Sequence, residues 1–582
     1  MTKHEENNLI RGKSASSGIS IATAYVRKLD QEMIIPRTLI PVDKIEDEMK
    51  LLDMARELVS DELELVRDKI EERLGKSYSD IISAQLAIVK DEELYREVQA
   101  YIEEHHVNIA FAFKVVVNQY VEMFEDQESE YFKERLADIK DIKQRILRAM
   151  ISKKTVLSSF GLEKPTIFVS RDLNPTDIVM LVSENVVGFI TEFGGSTSHV
   201  AILARAMKVP MITGAKNALQ NIEAGETLIL DANKAKIFIR PNEEMLDEYR
   251  REIRQLDKED EIFRSKIDKQ AETLDGVKIK LSANISLPIE VDDVKRYGGQ
   301  GIGLYRTEYF YLMRQRQPRE EELFQEYRQV VEGMEGKEVV IRTIDLGGDK
   351  VSSLIEHDVR NEANPFMGYR AIRICLDQPE LFTTQLRAIL RASAFGKVSI
   401  LIPMITHIEE LQQSLLLIDK VKKDLDCDKI LYDKKIRIGM MVETPSAVMN
   451  IDAYAKLVDY FSIGTNDLTQ YGLVVDRGNE RVTNVYSHYD PAIIRMILKV
   501  VEGGRKAGIE VFICGEMATE KRALVLFAAM RIDGLSVAPQ YIGFVRDRIS
   551  RCNQKNAEKH LKAIMKMDTR KEIIDYLDKH ST

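Results

Sequence analysis

The sequence predicts a multidomain α/β protein: a small α/β domain carrying an inserted all-helical subdomain, then a linker helix and a C-terminal (β/α)8 TIM barrel. Three observations predict it. From about residue 277 to 540, short apolar runs alternate with amphipathic helical stretches about eight times, the length and rhythm of such a barrel. Residues 42–152 keep apolar positions three or four apart, with acids and bases between them, and hold no strand-like run. Residues 166–240 turn to short β-branched runs separated by turns. A chain of 582 residues has room for three or four such units at ~100–200 residues each.

Taken in order, residues 14–26 begin small and polar, then alternate through Ile19, Ile21 and Tyr25 as one short strand does. Residues 10–30 are too few to fold alone. The strand is therefore assigned to the α/β domain that resumes after Lys164-Pro165. The intervening helices, expected over 42–74, 81–89, 92–105, 109–127 and 131–151, form an insertion, with Gly75 ending the first. Strands are expected at 166–170, 186–191, 209–213, 227–231 and 236–240. The charge-dense stretch 243–271 keeps Leu246, Tyr249, Ile253, Leu256 and Phe263 at helical spacing, the pattern of a solvated connecting helix. The domains so read are 1–30 plus 155–240 (α/β), 31–154 (helical insertion), 241–272 (linker helix) and 273–582 (barrel).

The barrel strands are read at 279–283, 301–304, 339–341, 398–402, 438–442, 460–463, 511–513 and 535–537. An open doubly wound sheet is the rival, but the sequence lacks its glycine-rich dinucleotide fingerprint. Chemistry-bearing residues follow these runs: Arg306 the second, Arg342 the third, Glu443 the fifth, Asn466 and Asp467 the sixth, and Cys514 the seventh. In a barrel such positions open on the C-terminal face, where active sites are built. Guanidinium forks suit phosphate or carboxylate. Glu443 and Asp467 offer hard oxygens of the kind Mg²⁺ takes, with substrate completing its octahedron. This inventory describes a small, highly anionic substrate; phosphoenolpyruvate fits, as do other phospho-acids.

A second chemical stretch is Gly194-Gly195-Ser196-Thr197-Ser198-His199, between the strand at 186–191 and the apolar helical run Ile202, Leu203, Ala206, Val209. Such a layout brings an anion to the free N–H groups and positive dipole end of a helix, with His199 placed to carry a phosphoryl group. The same residues also suit a plain helix cap, and the loop alone leaves both readings open.

Composition narrows the class. A formal net charge of −10 argues against nucleic acid as the main partner. Cys375, Cys427, Cys514 and Cys552 form no CxxC pair, so neither a zinc knuckle nor a disulfide framework is expected, and reduced thiols suit the cytosol. The N-terminus has no apolar signal segment, and no stretch is apolar enough to span a bilayer. A cytoplasmic location without membrane insertion is the expectation.

The strand-end residues stand inside longer strings: Gly303-Leu304-Tyr305-Arg306-Thr307-Glu308, Arg342-Thr343-Ile344-Asp345-Leu346-Gly347-Gly348-Asp349-Lys350, Asn364-Pro365-Phe366-Met367-Gly368-Tyr369-Arg370, Val442-Glu443-Thr444-Pro445, Gly464-Thr465-Asn466-Asp467-Leu468-Thr469-Gln470-Tyr471, Asp476-Arg477-Gly478-Asn479 and Cys514-Gly515-Glu516. With the glycine–histidine loop, they closely resemble Enzyme I of the bacterial phosphoenolpyruvate-dependent sugar phosphotransferase system, over essentially the whole chain and in the same order. The resemblance implies that His199 is phosphorylated through Nε2 by phosphoenolpyruvate and passes the group to the carrier protein HPr, releasing pyruvate. It implies that Arg306, Arg342 and Arg477 hold the phosphate and carboxylate and that Glu443 and Asp467 bind Mg²⁺. It further implies that Asn466 contacts the phosphate and Cys514 protonates the enolate carbon. The phosphohistidine α/β domain is then a swivelling one, the helical insertion docks HPr, with Glu134-Arg135-Leu136-Ala137-Asp138 at its end, and the barrel forms a homodimer.

One departure stands out: the family's loop usually carries a basic residue, often Arg, where this chain has Ser196. Loss of that cation weakens electrostatic support of the phosphoryl group by ~1–2 kcal/mol in a partly buried setting. Two alternatives are weighed. A pyruvate–phosphate dikinase or phosphoenolpyruvate synthase relative needs a sizeable ATP-binding domain, and residues 1–165 offer only helices. A regulatory phospho-relay is favoured by Ser196 alone. The remaining histidines share no spacing, Cys375, Cys427 and Cys552 read as structural, and Asp345 and Asp349 are candidates to aid the barrel site that stay outside the assigned set.

Overall fold

The computed structural model describes residues 8–27, 35–74, 76–125, 130–152, 164–182, 185–194, 199–264, 267, 269–312, 316–347, 362, 364–479, 481–482 and 484–580. The chain divides into two compact units, Met1–Leu256 and Asp257–Thr582.

The first unit is built on one mixed sheet of eight strands. They are β1 (Leu9–Arg11), β2 (Lys13–Ser16), β3 (Ile19–Val26), β4 (Thr166–Ser170), β5 (Val186–Thr191), β6 (Met211–Thr213), β7 (Thr227–Asp231) and β8 (Lys236–Ile239), in the order β1-β8-β7-β3-β4-β5-β6-β2. β3 to β6 run parallel, and β4 to β6 are buried, with Ile167, Val169, Ile190 and Ile212 in the core. Residues 14–26 make two strands rather than one. Gly18, at φ +130°, turns the chain where a Cβ would stand 2.6 Å from Pro210 Cγ. β2 therefore pairs with β6 on one edge, while β3 inserts between β7 and β4.

Between the paired neighbours β3 and β4 the chain makes five helices: Ile45–Leu74, Lys76–Val89, Glu92–His105, Ile109–Glu125 and Glu130–Ser152. Their apolar stripes bury Leu52, Val59, Leu63, Val66 and Ile70 on the first and Ile142 and Ile146 on the last. Asp91 caps the third, accepting from the N–H groups of Glu93 and Leu94. Arg145 of the last helix is the polar anchor. It donates to Asp141 (2.8 Å), to Glu62 of the first helix (2.7 Å) and to Thr176 of the helix Pro175–Val182 (2.6 Å). Burial works against its charge, but Asp141, Glu62 and Asp177 outweigh it and hold the guanidinium protonated. Asp177 also pairs with Arg27, just after β3, at 3.0 Å.

The connecting helix spans Glu243–Arg264, and its N-terminal half packs Leu246 and Tyr249 on Ile229 and Phe238. Tyr249 donates to the buried Asp231 at 3.0 Å. The expected extension to residue 271 does not occur. Ala271 is buried in the barrel core, and its carbonyl accepts from Ile279 N–H at 2.9 Å, so that segment belongs to the barrel wall.

The second unit is a closed parallel barrel of eight strands: β9 (Lys280–Ile285), β10 (Gly301–Arg306), β11 (Glu338–Arg342), β12 (Val398–Ile402), β13 (Arg437–Val442), β14 (Tyr460–Ile463), β15 (Glu510–Ile513) and β16 (Gly534–Val537). β16 closes on β9 in register Gly534↔Lys280 to Val537↔Ala283. All eight expected runs are strands, because strands buried on both faces read as near-continuous apolar stretches. No described helix is long and apolar enough to cross a membrane.

Candidate active site

The C-terminal mouth of the barrel collects the strand-end residues. Arg306 ends β10, half-buried, with no hydrogen-bond or ion-pair partner among the described residues. Arg342 ends β11 and is almost wholly buried; it donates to Glu308 at 2.6 Å and pairs with Asp345 at 3.0 Å, while its Nε has no hydrogen-bond partner among the described residues. The turn that follows is fixed from behind. Gln385 accepts from Ile344 N–H and donates to Thr307 Oγ1, which donates to the Arg342 carbonyl.

Glu443 follows β13 and is fully buried. Its Oε1 accepts from Met404 N–H at 2.6 Å, and its Oε2 has no hydrogen-bond partner among the described residues. Gly464 makes the close approach possible, since a Cβ there would lie 2.8 Å from Glu443 Oε2. Asn466 and Asp467 are not at the strand end itself but in the first turn of the helix Thr465–Gly472, which starts one residue beyond β14. Asp467 Oδ1 likewise lacks a hydrogen-bond partner. Burial raises the Glu443 carboxyl pKa, repulsion from Asp467 and Asp345 adds to it, and Arg342 and Arg370 oppose it. Two buried acid oxygens without donors, on carboxylates that repel each other, fit a hard divalent cation. No group of three or more His, Cys, Asp or Glu able to hold a metal occurs among the described residues.

Arg370 is the site residue that the strand-end reading missed. It is 3% exposed, donates to Asp345 at 2.8 Å and Tyr471 at 2.9 Å, stands 3.8 Å from Asp467 Oδ1, and leaves its Nε unpartnered. Asp345, only a candidate aid to the site from sequence, bridges Arg342 and Arg370. The signal was the Asn364 to Arg370 string, which lies outside every strand. Gly347 admits it: at φ +105°, a Cβ there would come within 2.4 Å of Arg370 Cβ.

On the next side of the mouth, Cys514 follows β15, its N–H bonded to Ile463 O at 3.1 Å. Burial pushes its thiol up to about 11, so it keeps its proton at neutral pH. Asn466 Oδ1 accepts from Glu516 N–H at 3.0 Å, and its carbonyl accepts from Tyr486 OH. The half-buried Arg477 hydrogen-bonds with Tyr486, which ties it to Asn466.

In the first unit, His199 is the first residue of the helix His199–Ala206, and Gly194 holds φ +104° before the loop. The His199 side chain, residues 195–198 with Ser196, Asp349, and most of the 134–138 side chains lie outside the described residues.

Comparison with known proteins assigns the chain. Residues 11–135 match the family described as PEP-utilising enzyme, N-terminal; residues 162–235 match the PEP-utilising enzyme mobile domain, and 261–554 its PEP-binding domain. The chain is 37% identical to the phosphoenolpyruvate-protein phosphotransferase of Priestia megaterium, covering 98% of each chain. It is 38% identical to that of Bacillus subtilis over 98% of this chain and 99% of the relative. With that of Haemophilus influenzae it shares 37% identity, over 94% and 95%. The chain belongs to the phosphoenolpyruvate-protein phosphotransferases, the Enzyme I family.

Proposed function

We propose that the chain takes the phosphoryl group of phosphoenolpyruvate onto His199 and passes it to a histidine of HPr, releasing pyruvate and opening sugar uptake. The enzyme is a transferase, like the relatives it matches. One observation carries the site assignment. Among the described residues Arg306 has no hydrogen-bond or ion-pair partner and Arg342 and Arg370 each keep an open Nε, and they share the mouth with Glu443 Oε2 and Asp467 Oδ1, which accept no hydrogen bond. Preset guanidinium forks neutralise phosphoryl and carboxylate charge without reorganising, and phosphoryl transfer is mostly positioning plus electrostatics. Glu443 and Asp467 would hold Mg²⁺, which when bound supplies charge neutralisation on the phosphoryl oxygens.

The chain's own groups complete the chemistry. The O–P bond of phosphoenolpyruvate breaks as an N–P bond forms at neutral His199 Nε2, an imidazole being a competent nucleophile near its usual pKa of ~6.5. The enolate left behind takes the Cys514 proton at its methylene carbon. Asn466 and Arg477, linked through Tyr486, orient the phosphate from the other side of the mouth. The helical insertion docks HPr, the barrel carries the homodimer contact, and the helix Glu243–Arg264 is the joint of the swivelling domain. Incubation with phosphoenolpyruvate and Mg²⁺ should leave one acid-labile phosphate per chain, absent in His199→Ala; label that persists in that variant refutes the assignment.

A further inference from the structure

The barrel interior beneath Cys514 is incompletely filled. Cys514 packs into a small apolar cluster with Leu304, Val340, Leu401, Met441 and Tyr460. Continuous with that cluster is a cavity lined along the interior by Ser282, Gly303, Ser462 and Ser536 and at the N-terminal mouth by Lys280 and Glu338. It admits the centre of a water molecule over about 10 Å³, room for one water. Gly303 makes that room: a Cβ there would stand 2.6 Å from Ser536 Oγ and 3.0 Å from Ser282 Cβ.

Ser462 and Ser536 are 1% and 2% exposed; among the described residues the Ser536 hydroxyl has no hydrogen-bond partner and the Ser462 hydroxyl has none other than the Cys514 thiol. Buried hydroxyls are rarely left unpaired, and a bound water is the ordinary remedy in a polar cavity of this size. Ser462 also faces the Cys514 thiol, where its hydroxyl favours the thiolate. At the far end, Lys280 and Arg437 pair with Glu338 at 2.5 and 3.4 Å, and their side chains are 31% and 29% exposed, so the mouth is wet. The cavity thus runs from solvent at the bottom of the barrel to Ser462, which stands between it and the Cys514 thiol.

We propose that this serine-lined cavity is the proton entry route of the enzyme, with Ser462 and the cavity water reprotonating Cys514 after each turnover. The proposal rests on the reading of Cys514 as the proton donor. When pyruvate forms, the S–H bond breaks, a C–H bond forms, and a thiolate remains. Ser462 gives its hydroxyl proton to Sγ and takes one from the cavity water, and solvent at the N-terminal mouth restores that proton.

Rapid-quench measurement of pyruvate, with full-length enzyme, phosphoenolpyruvate, Mg²⁺ and excess HPr, separates the steps. In Ser462→Ala the first equivalent of pyruvate per site should form at the wild-type rate, because the thiol starts protonated. Later turnovers should slow by about tenfold or more, with an enlarged solvent deuterium isotope effect. Ser536→Ala should show the same split more weakly and carries the test if Ser462→Ala does not fold. Wild-type values in both phases overturn the route, as does equal slowing of both phases, which marks a packing role. Cys514→Ala should lose the first equivalent as well; if it does not, the donor assignment has failed rather than the route.

Discussion

Arg145 in the first unit and Arg370 in the barrel are buried alike, at 4% and 3% exposure, yet they differ in what is left over. Every nitrogen of Arg145 is engaged, Nε by Asp141, Nη1 by Glu62 and Nη2 by Thr176. Arg370 keeps its Nε open, as does its neighbour Arg342, and Arg306 has no partner among the described residues. Burial and ion pairing alone do not mark a functional site, since structural networks shift charges in the same way. The discriminating feature is the remainder. A saturated network fixes two elements against each other, whereas open donors beside acid oxygens that accept no hydrogen bond leave room for a ligand.

This difference can be broken or sharpened by substitution. The largest expected effect is on stability: Arg145→Met leaves Glu62, Asp141 and Asp177 without their shared cation and should cost about 3–5 kcal/mol in denaturant unfolding of the first unit. The KM for phosphoenolpyruvate should stay at the wild-type value. Arg370→Ala should do the reverse, lowering kcat/KM for phosphoenolpyruvate by about 10²–10³, or ~3–4 kcal/mol, in steady-state assays.

A third effect tests a buried base near the same mouth that is not part of the chemistry. His488 bonds Thr469 at 2.8 Å, faces Tyr486, Glu516 and Arg477, and burial lowers its pKa to about 4. The unfolded chain, with a histidine pKa of ~6.5, binds the extra proton between those values, so stability is full above ~6.5 and falls as pH drops toward 4. The loss should total about 3 kcal/mol across that window, and His488→Gln should flatten it in a series of unfolding curves. The smallest effect belongs to the loop: Ser196→Arg should stabilise the phosphoryl group on His199 by ~1–2 kcal/mol, seen as slower loss of acid-labile phosphate.

Much of this was legible in the sequence, for identifiable reasons. The eight barrel strands announce themselves as apolar runs because both faces are covered, and residues such as Arg342 and Glu443 are found by counting to the end of a run. Arg370 was not found that way. It sits 28 residues beyond Arg342 and reaches the mouth through the backbone pairing of Ala371 N–H with Leu346 O, a contact without a local pattern. The split of 14–26 at Gly18 was hidden for the same reason, since β2 finds its partner in β6, nearly two hundred residues on. The end of the connecting helix at Arg264 was masked by charge density that continues past it, and only the burial of Ala271 in the barrel core settles where that segment belongs. The serine-lined cavity left no sequence mark, because its polar residues alternate with the apolar residues of ordinary strands.

We propose that open donors, not buried charge, mark the substrate site. Titration calorimetry of phosphoenolpyruvate with Mg²⁺ into full-length wild type, Arg370→Ala and Arg145→Met, each with its unfolding curve, tests it most directly. Arg370→Ala should lose or strongly weaken binding while still folding, and Arg145→Met should keep wild-type affinity with reduced stability. Undiminished binding in Arg370→Ala, or a loss of affinity in Arg145→Met as large as that in Arg370→Ala, would contradict it.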